Sequence, residues 1–112
     1  MSQPNMNDLL AKAQEAQAKL ASLQQSLARR SVEGSAGGGM VTVKATGELR
    51  VLEIRIEPSL LNSGDHGMIQ DLTAAAVNAA LANAQKMVQE EFQRAAVGFQ
   101  LPVPMPGSES GS

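Results

Sequence analysis

The sequence predicts an α+β domain, α-β-β-β-α in order, in which a small antiparallel sheet packs against two long helices. Three observations lead there. Residues 40–58, MVTVKATGELRVLEIRIEP, alternate apolar and polar side chains across a tight turn; the segment before them is apolar at spacings of three and four; the segment after them is long, alanine-rich and free of proline. A period of two marks half-buried strands, and a period near 3.5 marks helix.

The central stretch comes first because the rest must cover it. Val41, Val43 and Ala45 alternate with Met40, Thr42 and Lys44, and beyond Gly47 and Glu48 the residues Leu52, Ile54 and Ile56 alternate with Val51, Glu53, Arg55 and Glu57, up to the stop at Pro58. A lone hairpin is marginal in water, so one face needs a helical cover. A further short strand is expected at residues 31–36 around Val32, with Gly37, Gly38 and Gly39 as the turn into Met40. Gly34 and Gly39 have the GxxxxG spacing of a phosphate loop. Met40 and Val41 stand where Lys and Ser or Thr belong, so the glycines are read as a turn that uses positive φ.

Asn5 is placed to cap the first helix, its side-chain oxygen accepting a bond from an otherwise unpaired backbone N–H. Met6, Leu9, Ala13, Ala16, Leu20, Leu23 and Leu27 form a heptad stripe about 33 Å long, more than a short hairpin covers, so part of this helix is expected to project. Asp8 with Lys12 and Glu15 with Lys19 are spaced for i, i+4 pairs, and Arg29 and Arg30 sit at the negative end of the helix dipole. Residues 59–64 read as a connection, and Asp65 as the cap of a second helix reaching about residue 96. Its middle, LTAAAVNAALANA, is apolar almost all round. Such a helix packs on more than one side, which predicts a dimer interface at Leu72, Ala76, Val77, Ala80 and Leu81. The domain is expected to span residues 1–97. Residues 98–112, rich in proline and then in glycine and serine, are expected to be a flexible tail.

Composition excludes more than it selects. The chain has 112 residues and no cysteine, so it holds no disulfide, thiolate metal site or cysteine nucleophile. The start lacks the pattern of a secretory signal and no run is long and apolar enough to span a bilayer, which leads to a soluble cytoplasmic protein. His66 is the single histidine, and the consecutive Glu90 and Glu91 point to different sides of a helix, so no catalytic or metal constellation is expected. With Phe92 and Phe99 as its only aromatic residues, the chain has no platform for stacking single-stranded bases. The formal charge is -2, yet residues 1–30 carry four basic side chains against two acidic ones. Only the first helix is basic.

The order of these segments, with Gly39-Met40-Val41, then Ile56-Glu57-Pro58-Ser59-Leu60-Leu61, then Asp71-Leu72 opening into Ala75-Ala76-Val77-Asn78 and Ala80, resembles the YbaB/EbfC family of bacterial nucleoid-associated proteins over nearly the whole chain. The resemblance implies a tight homodimer whose helices project like the arms of tweezers, bound to double-stranded DNA at the nucleoid, organising it and influencing gene expression. It implies no enzyme activity, cofactor, membrane or small-molecule substrate. The side chains expected to meet DNA phosphates are Lys12, Lys19, Arg29, Arg30, Lys86 and Arg94, all doubled by dimerisation. The alternative function is a dimeric helical adaptor that docks proteins through its projecting helices.

Overall fold

The computed structural model describes residues 5–99. Its elements run α1 (Met6–Arg29), β1 (Ser31–Ala36), β2 (Val41–Thr46), β3 (Val51–Ile56), α2 (Pro58–Leu61) and α3 (His66–Phe99), with the strands in the order β1-β2-β3 and both pairs antiparallel. Two boundaries differ from expectation. The connection after Pro58 contains a helical turn, because proline's fixed φ suits the first helical position and Leu60 buries its side chain there. The second long helix continues through Gly98 and Phe99, residues assigned to the tail from sequence. Residues 100–112, the rest of that expected tail, lie outside the described residues.

The start and the turns follow the predicted chemistry. Asn5 accepts from the Asp8 N–H at 2.8 Å, and Asp65 accepts from the Met68 N–H at 3.0 Å, so both long helices open on a side-chain cap. The three glycines between β1 and β2 all have positive φ, at 65°, 68° and 96°. Between β2 and β3 the left-handed position falls to Leu49, at φ 64°, held by its N–H bond to the Thr46 carbonyl at 2.8 Å.

The core lies between the sheet and one stripe of α3. Ala76, Ala80, Ala84 and Met87 recur at helical spacing, and together with Val41, Val43, Ala45 and Leu60 they are buried. The alanines permit a very close approach. Gly34 of β1 faces the backbone of Ala79 and Ala80 with no room for a Cβ, so glycine is required there by its neighbour rather than by its φ.

The sheet is covered unevenly. α3 lies across β1 and β2 and barely reaches β3. Cross-strand register puts Ile54 beside Val43 and Ile56 beside Val41, hence on the same face, but Val43 is fully buried and Ile54 remains 44% exposed. A bulge between Lys44 and Ala45 sets Val51 opposite Ala45, so β3 presents an apolar row at the edge of the sheet.

α1 leaves the body at its C-terminal end. Of its predicted stripe, Leu27 is buried, Ala16, Leu20 and Leu23 are half-buried, and Met6 and Leu9 are exposed. The molecule is accordingly long, 75 × 37 × 15 Å, with a radius of gyration of 20.8 Å where a compact chain of this size has about 13 Å. No helix among the described residues is long and apolar enough to cross a membrane.

Candidate nucleic-acid interface

The root of α1 is where the chain fixes the direction of its arm. The last carbonyls of a helix lack intrahelical partners. Here the Leu27 carbonyl accepts from the N–H of Gly47, at 3.2 Å, as well as from that of Arg30, and Gly47 also donates to the Arg30 carbonyl at 3.2 Å. The β2–β3 turn is thus stitched to the end of α1. A side chain at Gly47 would collide with the Leu27 carbonyl, so the absence of a Cβ is what lets turn and helix meet.

An ion-pair cluster braces the same junction from the other side. Arg30 reaches Oε1 of Glu91 on α3 at 3.1 Å, and Arg94, one turn further along α3, reaches the same oxygen at 2.8 Å. The Glu91 side chain is 19% exposed, against 54% for Arg30 and 73% for Arg94. The carboxylate is thus more covered than either guanidinium group bound to it. Between α1, the turn and α3 lies an open cavity of about 320 Å³ lined by Gln24, Leu27, Ala28, Gly47, Glu48, Val88 and Phe92. Its few polar groups and wide mouth suit packing space at a junction more than a ligand site.

The six expected DNA contacts occupy exposed positions in three places. Lys12 and Lys19 lie along α1, with Lys19 3.6 Å from Glu15 as the spacing predicts. Arg29 and Arg30 stand at its end. Lys86 lies on the outer side of α3, away from the stripe of Ala76, Ala80, Ala84 and Met87, whereas Arg94, seven residues beyond Met87, extends that stripe past its buried part. Arg30 and Arg94, 64 residues apart in sequence, are the pair the fold brings together, through Glu91. Lys12, Arg29 and Lys86 take part in no ion pair among the described residues, so the expected pair of Asp8 with Lys12 is absent.

The five positions expected at a subunit contact are placed differently. Ala76 and Ala80 are fully buried under the chain's own β1 and β2, and Leu72, Val77 and Leu81 pack half-buried beside that core. One stripe of α3 is covered within the chain, because Gly34 lets the helix sink onto the sheet, while Ala74, Ala75 and Ala82 stay exposed. On the sheet, the apolar surface left uncovered is on β3, at Val51, Leu52 and Ile54, with Leu49 in the turn before it. Sequence reasoning missed Glu91 as well. The signal for it was an acidic residue three positions before Arg94 on an exposed helix face, which does not reveal Arg30 from the other end of the chain.

No cluster of acidic residues or histidine able to hold a metal ion occurs among the described residues. His66 stands exposed at the first turn of α3.

Known proteins resemble this chain in sequence and in fold. The model of the YbaB/EbfC DNA-binding family matches residues 1–99. A nucleoid-associated protein of Chlorobaculum tepidum is 43% identical over 99 residues, 88% of this chain and 87% of the relative. One from Legionella pneumophila is 36% identical over 107 residues, covering 96% and 95%. Among solved structures, an uncharacterized protein from Helicobacter pylori superposes with a TM-score of 0.60 at 22% identity, covering 86% of this chain and 97% of that one, a likeness of fold.

Proposed function

Because the chain belongs to the YbaB/EbfC DNA-binding family, a family of nucleoid-associated proteins and not of enzymes, we propose that it binds double-stranded DNA as a homodimer, with low sequence specificity, and so organises the nucleoid and influences gene expression. The observation that carries the reading is the exposed basic arm. Four of the nine Lys and Arg side chains lie in residues 1–30, on a helix that leaves the body and keeps them in solvent. Duplex phosphates respond to the local field, so an arm of this sign attracts DNA despite a net charge of -2. The contacts are Lys12, Lys19, Arg29, Arg30, Lys86 and Arg94, and they touch the phosphate backbone rather than base edges.

Dimerisation doubles these charges, and the surface best suited to it is β3. Edge strands with exposed apolar rows invite pairing with another chain. A second copy laid against Val51, Leu52 and Ile54 would cover the part of the sheet that α3 leaves open and set two arms on one body. The expected location is the nucleoid, in the cytoplasm.

A gel-shift series with duplex DNA at increasing salt tests the proposal. Binding that weakens steeply with salt is expected, and changing Lys12, Lys19, Arg29 and Arg30 together to Gln should lower affinity and flatten the salt slope. A parent protein that binds no duplex at low salt would refute it, and the exposed apolar stripe at Met6 and Leu9 would then favour the protein-docking adaptor.

A further inference from the structure

We infer that Glu91 is a positioning residue that holds Arg30 and Arg94 together as one twin-guanidinium site for a single DNA phosphate at the root of each arm. The inference rests on the DNA-binding reading above and assigns a role that neither the family match nor the sequence supplies. Its basis is geometric. The Nη1 atoms of both arginines donate to the same oxygen, Glu91 Oε1, at 3.1 and 2.8 Å, so they are no further apart than those two bonds laid end to end. Two guanidinium cations at that separation repel each other unless an anion lies between them. Glu91 supplies that anion from below, where its side chain is 19% exposed, and the cluster keeps a net positive charge.

The donors left over belong to side chains that are 54% and 73% exposed. A guanidinium carries five N–H groups, and each of these arginines gives one to Glu91. A phosphate oxygen approaching from solvent meets two groups already converging on one anionic oxygen, and charge-assisted bonds of the same length fit it. The partners come from separate parts of the chain, Arg30 from the extended C-cap between α1 and β1 and Arg94 from α3. The site therefore forms only when the α1–β1 junction is folded against α3.

A double-mutant cycle separates this from two independent contacts. Arg30→Gln and Arg94→Gln are made singly and together in the full chain, and the affinity for a duplex oligonucleotide is measured across a salt series, with thermal melts to confirm folding. Each single change should weaken binding severalfold, and the double change no more than twofold beyond the weaker single variant. One phosphate lost per protomer flattens the salt slope by about 1.8 in a dimer, and the double variant should show that same shift. In a Glu91→Gln background, which keeps the side chain's shape without its charge, this coupling should vanish and the two losses should multiply. Losses that multiply in the parent background, or coupling that survives Glu91→Gln, would overturn the inference while leaving DNA binding intact. A parent protein that binds no duplex overturns both.

Discussion

Ile54→Glu tests where two copies meet. Ile54 shares a face with the fully buried Val43 but keeps 44% of its surface in water, because α3 does not extend over β3. Fully burying an isoleucine is worth about 1.5–3 kcal/mol, so covering the remaining exposure contributes about 1 kcal/mol per copy. A symmetric contact uses the residue twice. The substitution therefore removes about 2 kcal/mol of burial from the dimer, which raises the dissociation constant about 30-fold. The desolvation of two carboxylates adds to this figure. The isolated chain should tolerate the change, since a side chain that is 44% exposed can carry its carboxylate to water. Light scattering across a concentration series reads the dissociation, and a circular dichroism melt at low concentration checks that each chain remains folded. A variant that dimerises as tightly as the parent would refute the assignment of β3 as the contact.

Other outcomes follow from the same geometry. Ala80→Glu should unfold the chain rather than merely separate dimers, because it drives an unpaired charge into a core where Ala80 has no exposed surface; loss of the cooperative melt is the measurement. Gly34→Val forces a side chain against the α3 backbone and should cost about 2 kcal/mol or more, read as a lowered urea midpoint, whereas insertion without cost would show that α3 can lift from β1. Asn5→Ala removes the cap on the Asp8 N–H and should cost about 1 kcal/mol locally, visible as faster amide exchange in the first turn of α1 with the core unchanged. Changing Lys12, Lys19 and Arg29 to Gln should leave the melt intact, as all three side chains are exposed, while weakening duplex binding.

The alternation in residues 40–58, the glycine turn, the two capping side chains and the heptad stripe of α1 were all readable from sequence, because each is set by contacts within a few residues along the chain. The order of the elements followed from them, as did the projection of α1, since a stripe of about 33 Å outruns six-residue strands. Tertiary structure decided how apolar surfaces were shared. The alanine-rich circumference of α3 called for partners on more than one side, and no local pattern tells whether a partner is the chain's own sheet or another chain. Gly34 lets α3 lie directly on β1, which buries Ala76 and Ala80 internally and leaves β3 open. Charge follows the same division. Sequence spacing alone found Glu15 with Lys19, one helical turn apart, but Arg30 meets Glu91 across 61 residues, and only the tertiary fold brings Arg30 and Arg94 to one oxygen.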